Sequence, residues 1–569
     1  MQLNHLIKVA RGDAPVDLLL KNVQLVNVVS GEIYPTDIAI ADQLIVGLDH
    51  HYEARDTLDL KGLYAAPGFI DGHVHIESSM VTVPQFARAV VPLGTTSVIA
   101  DPHEIANVLG YEGIRFMMES AKYNPLNVFF MLPSCVPSTR LETAGSQLRA
   151  FDIFPFLREK WVVGLGEMMN FPGVINGDEE VLDKIKVASE KRVDGHAPGV
   201  SGKQLNAYIA AGIASDHEST TPEEALEKLR RGMYIMIREG TGTKNLRDLL
   251  KMVTPENSRR CVFCTDDRHP HDILEEGHIN FMIKTAIAHG IDPLSAIRMA
   301  TLNPAEYFNL RKLGFLAPGN YADLVILDNL SECRIRMVFK NGQLVAEDGQ
   351  MKYETSFKPD VKIRGSVNIK WLEGDEFTIP ATGKRCRVIG LIKDQIVTEE
   401  LIAEPKIEDG RVISDPDQDV LRCYVVERHH GSGNIGKGLV KGFGLKKGAI
   451  ASSISHDSHN IVAVGVNDED IFRAVIQINK MGGGLAVTCD GKVQAALELP
   501  IAGLMSSEPL EDVNRKLQQL NRQTKALGCK LADPFMAISF LALPVIPKLK
   551  ITDLGLVDVD QFDFVNLFV

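Results

Sequence analysis

Between residues 66 and 310 the chain alternates short β-branched runs with helical stretches, and this alternation limits the possible fold more than any other feature. A strand followed by a crossover helix, repeated, is the pattern of a parallel sheet covered by helices. Eight runs are legible: "GFIDGHVH", "TSVIADPHE", "NVFFMLPSC", "WVVGLGEMM", "RVDGHAP", "GIASDHE", "MYIMIREG" and "CVFCTDD". Eight β/α units in that span fit one closed (βα)8 TIM-like barrel. The helices carry start signals. In "TTPEEALEKLRRG" a Thr cap, Pro222 in the first turn, early glutamates and late basic residues predict a helix from about residue 222.

The flanks read differently. Residues 17 to 49 alternate as short strands broken by Ser-Gly, Pro-Thr and Ala-Asp turns, and the same idiom returns in "PGNYADLVILD" and "MVFKNGQLV". The two ends are therefore expected to pair as one composite β-sandwich, residues 1–65 with 311–360, flanking a barrel over 66–310. A third region, 361–569, is rich in β runs and glycine. It has one clear amphipathic helix at "EPLEDVNRKLQQLNRQTKALG", ending at Gly528, and is expected to be an α+β domain. The fold class is α/β.

A formal net charge of -13 with no lysine-arginine run argues against nucleic acid or an anionic membrane as partner, since both reward clustered positive charge. The amino terminus lacks the apolar core of a signal peptide. The oily stretch "FMAISFLALPVI" (535–546) is too short to cross a bilayer and is interrupted by Pro544; core is the expected place for it. A cytoplasmic protein acting on small solutes is implied. Its eight scattered cysteines are expected to be free thiols, Cys261 and Cys264 included.

In such a barrel the carboxyl ends of the strands converge on one face. Here those ends carry His73 and His75, Glu167, His196, His217, and Asp266 with Asp267. Two histidines at i and i+2 on a strand point to the same side, so both imidazoles of "HVH" face the barrel mouth. An isolated pair of this kind is more often exposed or merely hydrogen-bonded. Four histidines and two carboxylates closing separate strands point instead to metal. Six ligands exceed what one open catalytic cation takes, so two divalent ions are expected. His73, His75 and Asp266 are assigned to one and His196 and His217 to the other, with Glu167 supplying an oxygen to each. Such a pair makes hydroxide available at neutral pH. The donor set suits manganese, iron(II) or zinc.

This constellation, in this order, resembles the amidohydrolase superfamily of metal-dependent hydrolases. The strings "PGFIDGHVHIESSM", "GTTSVIADPHEIANVLG", "GLGEMMNFPGVI", "DGHAPG", "SDHES" and "CTDDRHP", with "SHDSHNIVAVG" in the third region, are similar to the bacterial adenine deaminase family within it. In many binuclear relatives a carboxylated lysine bridges the metals from strand four. Glu167 stands at that place here, as in the adenine deaminase branch. The resemblance implies hydrolysis of adenine to hypoxanthine and ammonia in purine salvage, two metals (manganese or iron before zinc), and a homo-oligomer, dimer or larger. It assigns Asp266 to proton transfer and leaves the acid at the purine ring to Glu104 in "DPHE" or Glu239 in "IREG", either of which could instead be a structural carboxylate paired to an arginine such as Arg238. His103 is a candidate for the purine pocket. His456 and His459 in "SHDSHN" belong either to a solvated loop or to a lid over the barrel mouth. Another amidohydrolase acting on a cyclic amide or a related purine or pyrimidine base is the alternative, and the intact ligand set argues against a scaffold without catalysis, a reading that absence of hydrolytic activity in the metal-loaded protein would favour.

"GSGNIGKG" (431–438) comes close to a phosphate-binding loop, but Gly438 stands where Ser or Thr must reach magnesium. A glycine turn is the better reading.

Overall fold

The computed structural model describes residues 2–353, 363, 365–392 and 395–569. The division placed at 360/361 lies outside the described residues. The eight runs become eight strands: β1 (Phe69–Val74), β2 (Thr95–Ala100), β3 (Asn127–Leu132), β4 (Val162–Met168), β5 (Arg192–Gly195), β6 (Ser215–Asp216), β7 (Tyr234–Arg238) and β8 (Cys261–Cys264). Strands β1 to β5 pair in parallel in sequence order, and so do β6 to β8. Two seams close the ring. Ala214 N donates to Val193 O (3.0 Å) between β5 and β6, and Asp266 N donates to His73 O (2.9 Å) where the chain leaving β8 meets β1. Ile70, Ile99, Met131, Met236, Val262 and Cys264 fill the interior, with Tyr307 and Phe308 packed against them. Cys264 is thus a small apolar filler, and all eight cysteines are free and buried.

Crossing β1 over β8 demands a glycine. A Cβ on Gly72 would lie 2.4 Å from Val262 Cγ1, so "DGHVH" has no side chain at its second position because the strand beside it leaves no room. The helix expected after β6 spans Pro222–Arg230, and the Thr221 hydroxyl accepts from Glu224 N (3.3 Å). Its Lys228 does more than balance the dipole. The buried ammonium donates to Asp216 Oδ2 and Ala197 O, both at 2.8 Å, while Asp216 also accepts from Ala197 N and Ser219 N. This network fixes the chain immediately after His196 and on both sides of His217.

The two flanks meet in one hydrogen-bonded nine-stranded sheet. Leu324–Asn329 runs antiparallel to Tyr64–Pro67, pairing Val325 with Ala66, so the strand leading into the barrel is held by the chain that leaves it. Beyond residue 385 an eight-stranded sheet, antiparallel at all but one pairing, packs against the helices Asp468–Met481 and Leu510–Ala526. The latter is the helix expected before Gly528. The glycine turn at 431–434 wraps around a carboxylate from its own chain. Glu427 accepts from the backbone N–H groups of His429, His430 and Ser432, so a carboxylate already occupies the place a phosphate would take. Residues 535–546 divide between two clusters: Phe535, Ile538, Leu541 and Ala542 are buried in the main core, as expected. Met536, Phe540, Leu543 and Ile546 form a small apolar cluster of their own with Ile396 and Val397. No helix among the described residues is long and apolar enough to cross a membrane.

Replacing Lys228 by Met leaves Asp216 buried without its cation. The expected result is a loss of about 3 kcal/mol of stability, read as a lower denaturant midpoint; an unchanged midpoint would show the pair to be dispensable.

Candidate metal centre

All six predicted ligands meet at the mouth of the barrel. His73 is the fifth residue of β1 and His75 follows its end, so the i, i+2 geometry aims both rings inward, their Nε2 atoms 3.1 Å apart. Asp266 Oδ1 lies 3.1 Å from His75 Nε2 and 3.5 Å from His73 Nε2. Glu167, in β4, divides its carboxylate. Oε1 faces His75 Nε2 (3.0 Å) and His73 Nε2 (3.7 Å), while Oε2 faces His196 Nδ1 (2.6 Å) and His217 Nε2 (3.2 Å). The rings of His73 and His217 stack with centroids 4.4 Å apart, so the two ligand groups are neighbours joined through Glu167.

Supporting contacts aim these groups. The Asp101 carbonyl can only accept, so its 2.9 Å contact with His75 Nδ1 places the ring hydrogen there and leaves a lone pair on Nε2. The Asp101 carboxylate accepts from Glu167 N (3.0 Å). It lies so close to β4 that a Cβ on Gly166 would come within 1.9 Å of Asp101 Oδ2, which explains the second glycine of "GLGEMM". His196 is set by Tyr208, whose hydroxyl accepts from His196 N and donates to Met168 O.

The electrostatics call for positive charge. Burial disfavours an imidazolium at His73, yet Asp266 and Glu167 push its pKa up to about 10. Against the same burial, the Glu218 charge and the bond to Glu167 raise His196 to about 9. Burial acts the other way on Glu167 and Asp266, and the surrounding histidines overcome it, holding both well below the usual carboxylate range. A bare nitrogen lone pair on His75, 3.0 to 3.1 Å from two carboxylate oxygens and a second imidazole nitrogen, is stable only with a cation or a proton among them. Mutual donor distances within 4.8 Å on both sides of Glu167 fit divalent ions.

Three residues around this cluster were not singled out from the sequence for these roles: Asp101, Glu218 and Arg238. Arg238 donates to Glu218 and, through Nη1, to Asp266 Oδ2 (3.0 Å). Glu218 lies 3.6 Å from His217 Nε2 and 3.7 Å from His196 Nδ1. Each sits within two residues of a strand end, which was the available signal, but without a partner in view they read as ordinary polar termini.

The remaining candidates separate. His103 lines the cavity over the centre, its Nδ1 3.4 Å from Glu167 Oε1 and its Nε2 3.4 Å from Glu104 Oε1. Glu104 is buried in the same wall, and its oxygens accept from His456 Nδ1 (2.5 Å) and His459 Nε2. Despite burial these histidines hold Glu104 well below the usual range, a carboxylate rather than an acid. His456 lines the cavity; His459 does not, standing behind Glu104. Glu239, the other candidate for the acid at the purine ring, does not line this cavity either. Its carboxylate turns back to accept from Leu246 N (3.1 Å) at the start of the helix Leu246–Leu249, an unfilled amide within its reach. Arg238 pairs with neither Glu104 nor Glu239.

Comparison with known proteins fits this geometry. Residues 64–345 match the amidohydrolase family and residues 395–563 the adenine deaminase C-terminal domain. The chain is 54% identical over 567 residues to an adenine deaminase of Desulfatibacillum aliphaticivorans, covering 99% of each. It is 50% identical over 564 residues to adenine deaminase 2 of Carboxydothermus hydrogenoformans, again 99% of each. The chain belongs to the adenine deaminase family of amidohydrolases. Among solved structures, a crystal structure of an adenine deaminase aligns over 58% of this chain and 99% of its own, at 22% identity and a TM-score of 0.45. Membership of the amidohydrolase family and the clustered His, Asp and Glu donors both support the use of divalent metal.

His73→Ala is expected to remove activity while leaving the far-ultraviolet circular dichroism spectrum and the barrel intact, because the ring fills a polar mouth and not the apolar interior. Collapse of the fold would recast the centre as structural.

Proposed function

We infer that this protein hydrolyses adenine to hypoxanthine and ammonia at a binuclear centre held by His73, His75 and Asp266 on one side and His196 and His217 on the other. The division of the Glu167 carboxylate between these two groups supports the binuclear reading. The choice of adenine rests on full-length similarity to adenine deaminases. Imidazole nitrogens and carboxylate oxygens without thiolate suit manganese or iron(II), with zinc a third fit.

When bound, the divalent cations supply the Lewis acidity that makes water a nucleophile at neutral pH. Attack of the water oxygen on C6 forms a C–O bond, and breaking the C6–N6 bond releases ammonia. Asp266 is placed to accept a proton from the attacking water and to return it to the departing N6. Arg238 holds its other oxygen and keeps Oδ1 turned towards the centre. The cavity directly over the centre measures about 40 Å3, room for no more than a water or two. Against it, sharing His196, Glu218, Arg238 and Phe540, lies a second cavity of about 790 Å3 through which the base would approach. Phe540, Leu543 and Ile546 roof the smaller cavity, and with the base in place they exclude bulk water and strengthen each polar contact inside.

Chelator-treated protein is expected to be inactive. Adding back manganese or iron(II) should restore equimolar release of hypoxanthine and ammonia from adenine, with two metal equivalents giving full activity. Restoration by one equivalent would contradict the binuclear assignment, and no release from adenine with any metal would contradict the reaction.

A further inference from the structure

Glu104, His456 and His459 bring three donor atoms within 4.8 Å of one another, all buried, and so resemble a further metal site. The hydrogen positions rule against that. Ser455 N donates to His459 Nδ1 (3.1 Å), and an amide N–H has only a hydrogen to give, so Nδ1 must carry the lone pair. A neutral imidazole then bears its hydrogen on Nε2, the atom that meets Glu104 Oε2. That nitrogen is a donor and has no lone pair for a cation. Burial, with opposition from Glu104, keeps the His459 pKa below its ordinary value, in line with a neutral ring.

The cluster instead positions one side chain. The Glu104 carboxylate is anchored by His459 on one oxygen and spends the other on His456 Nδ1. The His456 ring lies flat on Phe540, centroids 4.7 Å apart and planes 17° from parallel, and its backbone N donates to Ser539 O (3.0 Å). The loop behind it is held by the buried Arg428 guanidinium, which donates to the carbonyls of His459, Ser366 and Ala502. With Nδ1 engaged and both the plane and the backbone fixed, the polar atom His456 has left is Nε2, and His456 lines the cavity shared by His75, Glu167 and Asp266. Against burial, Glu104 raises the His456 pKa to about 9, so that both ring nitrogens are donors at neutral pH.

We propose that His456 donates through Nε2 to a ring nitrogen of the bound base, so that the region following the barrel supplies the donor that recognises the purine, with Glu104 and His459 as its positioning residues. This rests on the deaminase reading of the site. It also accounts for an uncharged apolar roof over a polar centre: Phe540 holds the recognising imidazole flat while excluding water from the bond it makes.

Two variants separate recognition from support. In His456→Asn the side-chain amide keeps a donor near Nδ1 for Glu104 but nothing at the Nε2 position. In His456→Gln the longer side chain restores a donor there. Metal-loaded parent and variants are titrated calorimetrically with 1-, 3- and 7-deazaadenine, each lacking one ring nitrogen, and the metal content of each is measured. In the parent one analogue should bind at least about tenfold more weakly than the other two, the loss of one hydrogen bond to a charged donor. That gap should close in H456N and persist in H456Q, with metal content unchanged in both, and kcat/KM for adenine should fall about 100-fold in H456N. The same spread of affinities in H456N as in the parent would overturn the proposal, as would loss of metal from the variants or three equal affinities in the parent. Because the affinities need no turnover, a parent that binds the analogues with the predicted gap but releases no ammonia from adenine would refute the deaminase reading separately.

Discussion

The site depends on one carboxylate shared between two pairs of histidines. Glu167 meets His73 and His75 through one oxygen and His196 and His217 through the other, and nothing else in the cluster touches both groups so closely. Much of the nearby structure keeps it there. Gly166 gives up its side chain so that Asp101 can reach the Glu167 amide. Tyr208 ties His196 to the end of the same strand. Lys228 and Asp216 lock the chain beside His196 and His217. Each of these is a buried polar arrangement with a desolvation cost, stable because its partners are satisfied.

The barrel was legible because strand and helix periods differ and alternate eight times, and because polar residues that end buried strands are conspicuous. The same logic located all six proposed ligands, since an HxH pair at a strand end has one geometric outcome. Contacts between residues distant in sequence were not legible. Nothing near Arg238 in the chain predicts that it turns to Glu218 and Asp266, and nothing near Glu239 predicts that a helix amide would claim it. Glu104 was found by its place at the end of β2, but its state depends on two histidines more than 350 residues away. The stretch 535–546 was read by hydrophobicity as core, and Phe535, Ile538, Leu541 and Ala542 join the main core; Phe540, Leu543 and Ile546 turn instead to the cavity over the barrel mouth.

These long-range contacts divide the labour between the two parts of the chain. The barrel holds the donors suited to divalent ions. The region after it brings an apolar roof and the two histidines that touch Glu104. A barrel of this kind fixes the class of chemistry through its metal ligands and leaves substrate choice to what covers the mouth. Here that cover is built by segments from well beyond the barrel: Ile396, His456, Asp457, Phe540, Leu543 and Ile546.

The most direct test is anomalous diffraction from crystals of the manganese-loaded protein. The account predicts two peaks flanking Glu167, one within bonding distance of Oε1 and the His73, His75 and Asp266 donors, the other within bonding distance of Oε2 and the His196 and His217 donors. A single peak taking both Glu167 oxygens, or density away from this residue, would contradict it.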